Sequence, residues 1–222
     1  MTFIHNNKYT YTTQMHVDTL PTGRTYHTPD GSYPSITTIL GKTSPNQIWL
    51  AKWKARVGEE EAARVSKEAT DRGTLIHEFA EDYFNNKPIN LESQTSDVKQ
   101  MTTDLIKGVE SGVEEIWGQE QILWSNKYRY AGRTDMVGIW KGKPSIIDFK
   151  TSKKLKQDSS IRDYYIQCCS YAVAHNEMYK TGISNGVIVI TVDGKPPQIF
   201  EKSLPPFLYE LRARRLNFDT IN

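Results

Sequence analysis

Apolar and polar residues in the middle of the chain follow the pattern of three strands joined by tight turns. The first strand is predicted over 120–124, the second over 128–140 and the third over 145–151. A Gly-Arg-Thr-Asp segment at 132–135 is expected to interrupt the second strand. Residues 141–144 predict a hairpin turn, because glycine adopts turn conformations at low cost and proline fixes its own φ.

Helices are predicted on both sides of these strands, from apolar residues that recur every three or four positions. Ser44 and Pro45 are the residue types of a helix N-cap and first turn, and Gly58 interrupts the helix that they begin. A β-branched run over 187–191 is typical of a strand covered on both faces. The later helices are predicted over 71–79, 98–117, 162–179 and 205–218.

The N-terminal region is polar and irregular, and its turns are marked by Asn, Asp, Pro and Gly. Short strands are predicted over 8–15 and 24–28, and an edge strand over 198–202. The sequence has no repeat, low-complexity tract or linker, so one domain is expected. Its predicted parts are an N-terminal segment and helix (1–70), a core (71–200) and a C-terminal helix (205–219).

Composition narrows the choice of function only a little. The chain has 222 residues and a formal net charge of +2, which is too small to indicate nucleic-acid binding by itself. No apolar run reaches membrane-spanning length and no secretory signal is present, so no membrane partner is expected. Cys168 and Cys169 are adjacent and cannot form an ordinary disulfide, which favours free thiols in a reducing cytosol.

The third strand carries the most informative chemistry. Strand side chains alternate between faces, so Asp148 and Lys150 project to one side and Phe149 to the other. Two interpretations remain open: an exposed ion pair at a strand end, or a carboxylate that binds a hard divalent cation with the lysine beside the attacking water.

Four short motifs occur in a fixed order along the chain. They are Gly73-x-x-x-His77, Gly132-x-x-Asp135, Asp148-x-Lys150 and Gln167-x-x-x-Tyr171. Together they resemble the RecB-type branch of the PD-(D/E)xK nuclease superfamily, and most of all the mitochondrial genome maintenance exonuclease group with its phage relatives. The resemblance runs from about residue 33 to the strand near Val187.

The resemblance implies a fold and a metal site. The fold is α/β, with a restriction-endonuclease-like core in which helices flank a mixed central sheet, and an N-terminal helical extension. The implied ligands of Mg²⁺ or Mn²⁺ are His77, Asp135, Asp148 and the backbone carbonyl of Phe149. No iron–sulfur cluster is expected, because such a cluster needs four cysteines and the chain has two.

Further residues receive candidate roles, of which those of Gln167 and Tyr171 rest on the same resemblance. Glu120 would contribute to a second or weaker metal position, or else be a solvent-facing acid, and Lys150 would position the water. Gln167 and Tyr171 would brace the site and the end of the DNA strand, or else support a core contact. Arg133 would share a face with Asp135 in a regular strand, where it could pair with that acid or reach a phosphate, whereas a bulge at Gly132 could turn it away.

DNA contacts are predicted in three places, each of which also has a purely structural interpretation. Ser35 and Thr37 belong to the opening segment of the resembling group, where a plain core segment is the alternative. Basic residues surround two tryptophans one helical turn apart, as in single-strand binding, although such pairs are more often core. These tryptophans are Trp49 and Trp53. The third place is Lys153 and Lys154, directly after the third strand, where a solvated lysine loop is the alternative.

The predicted activity is a metal-dependent exonuclease that hydrolyses DNA from strand ends and prefers single strands. The alternatives are a structure-selective endonuclease of the same superfamily and a non-catalytic DNA-binding module. A cytoplasmic location is expected, in the bacterial host if the chain is phage-encoded. The N-terminus lacks an Arg-rich amphipathic leader, so a mitochondrial address is not expected if the sequence is the whole gene product.

Overall fold

The structure, a computed structural model, describes residues 2–12 and 14–221. Its strands are β1 (Val17–Leu20), β2 (Gly23–Thr28), β3 (Gly31–Pro34), β4 (Val113–Ser125), β5 (Tyr130–Trp140), β6 (Lys143–Ser152), β7 (Asn185–Val192) and β8 (Lys195–Ser203). Its helices are α1 (Ile36–Lys42), α2 (Gln47–Val57), α3 (Glu59–Phe84), α4 (Ser96–Glu110), α5 (Arg162–Tyr179) and α6 (Leu208–Ile221). Single 3₁₀ turns precede α5 and α6.

The main sheet has five strands in the order β4-β5-β6-β7-β8. All neighbours are antiparallel except β6 and β7, which are parallel and are joined by the crossover helix α5. The predicted α/β class, with a mixed central sheet flanked by helices, is confirmed.

Alternating side chains of the central strands build two cores, one on each face of the sheet. On β7, Ile188 and Ile190 pack with α1, α5 and α6, whereas Val187 and Val189 pack with α3 and α4. Every residue of β7 is buried, as expected for a strand covered on both faces.

A smaller antiparallel sheet, β1-β2-β3, lies against strands β4 and β5. Tyr26 and Tyr33 from this sheet form a buried cluster with Ile122 and Ala131 of the main sheet. The predicted N-terminal extension contains helices α1 and α2, and the small sheet precedes them; the strand predicted over 24–28 is β2.

The predicted turn at 141–144 is a two-residue hairpin. Lys141 and Gly142 both have positive φ, at 46° and 77°, and Trp140 pairs with Lys143 directly after the turn. Positive φ at both positions belongs to the type I′ turn, whose twist matches that of the flanking strands. Pro144 lies inside β6, and no interruption separates 132–135 from the rest of β5.

The helix predicted over 98–117 is wrong in its second half. Helix α4 ends at Glu110, and β4 begins at Val113. A Cβ on Gly112 would lie 2.4 Å from the ring of Trp140, so only glycine lets the chain turn so close to β5. The strand predicted over 120–124 is correspondingly the second half of β4.

Several elements predicted in the N-terminal part of the chain have different bounds in the structure. The described residues of 8–15 form no strand, and Thr13 lies outside the described residues. The N-cap of α2 is Asn46 rather than Ser44, whose Oγ instead accepts a hydrogen bond from the Asn46 N–H. The helix predicted over 71–79 is the middle of the 26-residue helix α3, which begins directly after Gly58.

Candidate active site

The candidate active site lies where strands β5 and β6 separate. Their backbone pairing ends at Met136 and Ile147. Beyond this pair, the N–H of Phe149 donates a hydrogen bond of 2.6 Å to Oδ2 of Asp135. A carboxylate thus takes the place of a backbone acceptor at the point where the strands diverge.

Three side chains from three elements meet beside this separation: His77 from α3, Glu120 from β4 and Asp135 from β5. One ligand atom of each lies within 4.8 Å of the others. Nδ1 of His77 is 3.6 Å from Oδ1 of Asp135. Glu120, expected at a second or weaker position, belongs to this group, and Asp148 does not.

Glu120 reaches the group through an unusual backbone conformation. It lies inside β4 rather than at a strand start, and its φ is 51°. Its neighbours Gln119 and Gln121 pair with the residues on either side of Asp135, so the two acids stand across from each other. Positive φ is unfavourable for a residue with a side chain and is found at functional sites more often than elsewhere.

Arg133 forms an ion pair with Glu120 rather than with Asp135. Its Nη1 lies 3.8 Å from Oε2 of Glu120, and its side chain is 48 % exposed. The regular pairing of Arg133 with Ile122 shows no bulge at Gly132. Arg133 therefore points a half-exposed guanidinium at the rim of the acidic group.

The protonation of these groups is set by burial and by their neighbours. Burial raises the pKa of Glu120 to about 7, and the charges of Asp135 and Glu81 add to this effect. Burial also favours neutral Asp135, but His77 and Lys150 outweigh it and lower the pKa of Asp135. For His77, burial favours the neutral ring, but Asp135 outweighs it and the pKa is raised.

Asp148 and Lys150 form a buried pair next to this group. They project from the same face of β6, as predicted, and Lys150 Nζ contacts Asp148 Oδ2. Burial raises the pKa of Asp148 to about 6, with Asp135 adding to the effect and Lys150 opposing it. Burial disfavours the charged form of Lys150, but Asp148 and Asp135 outweigh it and raise the pKa of the amine.

The donor set fits a divalent cation. The Asp148 side chain is only 1 % exposed, and neither of its oxygens has an aligned hydrogen-bond donor in the described part of the chain. Crowded carboxylates such as Glu120 and Asp135 are stabilised in their ionised form by a nearby cation. Carboxylate oxygens suit Mg²⁺ and Mn²⁺, and the imidazole of His77 is acceptable to Mn²⁺ once its proton is lost to solution.

Helix α5 covers the other side of the Asp148–Lys150 pair. Nε2 of Gln167 donates a hydrogen bond of 3.2 Å to Tyr171 Oη, and Tyr171 is buried. A Cβ on Gly132 would lie 2.9 Å from Cε1 of Tyr171. The glycine of the second motif and the tyrosine of the fourth are therefore in direct contact.

Sequence reasoning missed two residues of the site. Tyr164 lies on α5 three residues before Gln167, and its ring centroid is 5.1 Å from Lys150 Nζ. Glu81 lies one turn after His77 on α3 and raises the pKa of Glu120. Helical spacing from His77 was a signal that could have found Glu81, whereas the contact of Tyr164 with Lys150 depends on how α5 packs on the sheet.

The predicted DNA-binding residues lie in different environments. Ser35 is buried as the N-cap of α1, where its Oγ accepts a hydrogen bond of 3.0 Å from the Thr38 N–H, whereas Thr37 is exposed. Trp49 is 64 % exposed on α2, and its ring is parallel to that of Trp53, with centroids 6.4 Å apart.

The predicted basic pair and α2 both remain open to solvent. Lys153 and Lys154 are exposed directly after β6. Helix α2 has no buried residue. These residues do not join the metal-binding group, and their proposed DNA contacts would lie outside it.

Two adjoining cavities border the acidic group. One, of about 650 Å³, lies between the small sheet and α3 and is lined by His77 and Asp135. The other, of about 510 Å³, is lined by the aromatic side chains Tyr9, Tyr11 and Trp117. Both share the lining residues Glu81, Glu120 and Arg133.

The mixed sheet, its flanking helices and the Asp148-x-Lys150 strand beside His77 and Asp135 define a nuclease-like core. Comparison with known proteins agrees with this class. The chain is 29% identical over 189 residues to mitochondrial genome maintenance exonuclease 1 of Xenopus tropicalis, covering 77% of this chain and 52% of that protein. The mouse protein of the same name is 29% identical over 190 residues, covering 78% and 54%, and the human one is 27% identical over 173 residues, covering 73% and 50%.

These similarities confirm the predicted resemblance to the mitochondrial genome maintenance exonuclease group. No family model matches the chain. The chain spans about half the length of the curated relatives it matches. A crystal structure from Eubacterium rectale, named only as a candidate exonuclease, matches with a TM-score of 0.43 and 13% identity over 67% of this chain and 68% of that one. At that TM-score the likeness decides nothing about the site.

None of the helices in the described residues is long and apolar enough to cross a membrane.

Proposed function

We propose that the chain is a divalent-metal-dependent deoxyribonuclease that hydrolyses phosphodiester bonds from strand ends, with a preference for single-stranded DNA. The observation that carries this proposal is the meeting of His77, Glu120 and Asp135 beside the buried Asp148–Lys150 pair. Relatives named exonucleases add support.

The ion would be held by His77, Glu120 and Asp135, with Asp148 and the carbonyl of Phe149 as further ligands. The N–H and C=O of one strand residue point to the same side, so a Phe149 carbonyl in regular geometry would follow its N–H toward the separation between β5 and β6. Bound Mg²⁺ or Mn²⁺ supplies Lewis-acid stabilisation of phosphate oxygens and a more acidic water.

Lys150 acts as a charged donor rather than as a base. In the metal-free protein, Asp148 and Asp135 outweigh burial and raise the pKa of its amine, which favours the charged form. Its ammonium group therefore orients the attacking water and offsets negative charge on the phosphate, as preorganised donors do in hydrolytic sites. Gln167 and Tyr171 are positioning residues: Tyr171 packs against Gly132 of β5, and Gln167 donates to its hydroxyl.

DNA would follow the two cavities that share Glu81, Glu120 and Arg133. Arg133 is half exposed at their junction and can contact a phosphate. The aromatic lining of the second cavity, Tyr9 and Tyr11, offers surfaces on which unpaired bases can stack. A double helix has no unstacked base to offer these rings, which supports a preference for single strands.

The single experiment that tests the activity uses linear and circular single-stranded DNA, each with Mg²⁺, Mn²⁺ or chelator. We expect metal-dependent shortening of the linear strand and an intact circle. Cutting of the circle would support the structure-selective endonuclease, and binding without metal-dependent cutting would support the non-catalytic module.

A matched pair of glutamates tests the site itself. Glu120→Gln should lower the rate about a hundredfold or more, because it removes a proposed metal ligand, whereas Glu78→Gln should keep near-normal activity. Both residues line the same cavity, but Glu78 is exposed. Equal activity of the two variants would remove Glu120 from the mechanism.

Trp49 is proposed to stack on bases outside the cleft. Trp49→Ala should weaken single-stranded DNA binding by about 1–3 kcal/mol, the usual contribution of one stacked base. Thermal unfolding should be unchanged, because the ring is 64 % exposed. Fluorescence anisotropy measures the affinity. Tyr209→Ala, at an 80 % exposed aromatic on α6, is the control, and an equal effect of both changes would contradict a specific role for α2.

Further details belong to the same proposal. Lys153 and Lys154 would contact the DNA backbone, and Ser35 with Thr37 would act through the start of α1. The organisation as one nuclease domain over 1–222 and the cytoplasmic location, in a bacterial host if the chain is phage-encoded, stay predictions.

A further inference from the structure

A second group of potential metal ligands lies on the small sheet, outside the cleft. It consists of His16, Asp18 and His27, and one ligand atom of each lies within 4.8 Å of the others. The N–H of His27 donates to the carbonyl of His16, so the two histidines face each other across the β1–β2 pairing. Asp18 is two residues after His16 and so projects from the same face.

The side chains of this group are already oriented toward one another. Nε2 of His16 is 3.1 Å from Oδ1 of Asp18, and Nε2 of His27 is 2.7 Å from Oδ2 of the same carboxylate. The centroids of the two imidazole rings are 4.8 Å apart. Bonds of about 2.0–2.1 Å to zinc place tetrahedral ligand atoms about 3.3 Å apart, so only small adjustments separate these positions from coordination.

Ser32 provides the outer partner that metal-bound histidines usually have. Its Oγ lies 2.9 Å from Nδ1 of His27, the ring nitrogen that faces away from Asp18. A hydrogen bond from Nδ1–H to this oxygen would leave the lone pair of Nε2 free for a metal.

We propose that His16, Asp18 and His27 form a binding site for one zinc ion, with water completing the coordination. Two imidazoles and one carboxylate are typical zinc ligands, whereas Mg²⁺ prefers an all-oxygen set. The cleft and this site would therefore differ in metal preference. The side chains are 74 %, 48 % and 37 % exposed, which leaves room for the water.

The position of this site gives it a structural role. Val17, Thr19, Arg24 and Tyr26 line the larger cavity from the opposite face of the same two strands. Apart from Val17, the side chains of the four-residue strand β1 are exposed. An ion that joins β1 to β2 would fix the wall of the cleft without entering it.

The test is calorimetric titration of Zn²⁺ into the metal-stripped 222-residue chain. We expect the double variant His16→Gln/His27→Gln to bind one equivalent fewer than the unmodified protein. His5→Gln, at a histidine outside both groups, should bind as many as the unmodified protein. Equal stoichiometry for the double variant and the unmodified protein would overturn the proposal, as would an absence of zinc binding.

Two further variants separate this site from the cleft. His77→Gln/Asp135→Asn should keep the equivalent that the first double variant loses, so the result stands whether or not the protein is a nuclease. Ser32→Ala should weaken zinc affinity about tenfold or more if it orients His27. Faster amide hydrogen exchange in β1 and β2 without zinc than with it would support the structural role, and unchanged exchange would overturn that role.

Discussion

At the scale of single residues, Glu120 combines a left-handed backbone with a buried acid. Its φ of 51° and its position across from Asp135 both oppose folding. Arg133, 3.8 Å away, attracts the carboxylate, but this attraction is weaker than the effect of burial, and the pKa of Glu120 stays raised. Such a residue persists only because the surrounding sheet holds it there. A bound metal ion would attract the Glu120 and Asp135 carboxylates, so their mutual repulsion in the metal-free protein would favour metal binding.

The raised pKa of Glu120 predicts how stability depends on pH. Between about pH 4.5 and about 7, folded Glu120 keeps a proton that the unfolded chain has released. The free energy of unfolding of the metal-free protein should therefore fall as pH rises through this range, by up to about 3 kcal/mol. Glu120→Gln should reduce this decline, whereas Glu78→Gln should not. Urea unfolding across the range measures both, and an unchanged decline in Glu120→Gln would contradict the prediction.

Gly132 is predicted to be needed for packing rather than for backbone freedom. A Cβ there would lie 2.9 Å from Tyr171 Cε1 and 3.1 Å from Cγ2 of Ile36. Gly132→Ala should therefore destabilise the protein by about 1–3 kcal/mol, the usual cost of overpacking a core.

Denaturant unfolding of Gly132→Ala can be compared with that of Gly41→Ala. Nothing lies within 4 Å of a Cβ on Gly41, and this residue is inside α1. Its replacement by alanine should be neutral or stabilising. Similar destabilisation by both changes would show that contact with Tyr171 is not the cause.

At the scale of secondary-structure elements, α5 connects the site to the N-terminal segment. His175 of α5 is fully buried, and its ring nitrogens meet Tyr11 Oη at 2.9 Å and Thr181 Oγ1 at 2.8 Å. The rings of Tyr9 and Tyr179 pack around it. One neutral imidazole thus attaches the irregular N-terminal segment to the helix that carries Gln167 and Tyr171.

Burial lowers the pKa of His175 to about 4, which predicts acid sensitivity. Between about pH 6.5 and about 4, the unfolded chain takes up a proton that the folded protein does not. The free energy of unfolding should therefore decrease by up to about 3 kcal/mol as the pH is lowered through this range. His175→Gln should be less stable at neutral pH and less sensitive to acid. Thermal unfolding from neutral to acidic pH measures this, with His5→Gln as control. An acid response in His175→Gln equal to that of the unmodified protein would assign the effect elsewhere.

Elements with a local signal could be predicted from the sequence. The type I′ turn at Lys141 and Gly142 and the shared face of Asp148 and Lys150 depend only on neighbouring residues. The boundary between α4 and β4 could not be predicted in the same way, because Val113 and Ile116 continue the helical spacing while pairing with β5 decides their conformation.

The same distinction applies to the site. His77 and Asp135 could be predicted because each belongs to a short motif whose residue spacing can be read directly from the sequence. The place of Glu120 among the ligands depends on the register between β4 and β5, and Tyr164 faces Lys150 only because of how α5 crosses the sheet. Neither relation has a short-range pattern that a single sequence would show.

At the scale of the whole molecule, the net positive charge is small, so any electrostatic attraction of DNA must come from local groups of basic residues. The net charge is +2, but Lys153 and Lys154 lie at the end of β6 that carries the site. Long-range attraction of DNA by such a chain would depend on a few well-placed cations rather than on the overall charge.

Salt dependence can test the contribution of these two lysines. Lys153→Gln/Lys154→Gln should reduce the slope of log affinity for single-stranded DNA against log salt by about 1.4, since each phosphate contact contributes about 0.7. Fluorescence anisotropy over a salt series measures the slope. Lys107→Gln/Lys141→Gln removes the same charge at the opposite end of the sheet, where α4 ends and the β5–β6 turn lies. Equal slopes for the two double variants would exclude a local contact.

The meander of β4, β5 and β6 has a consequence for how the chain assembles. Glu120, Asp135 and Asp148 lie on these three successive strands, which are joined by short hairpins. Contacts between strands so near in sequence form early, because little chain entropy is lost in closing them. The growing sheet would therefore bring like charges together before α5 has covered them, and a divalent cation of the proposed kind would ease that step before any substrate binds.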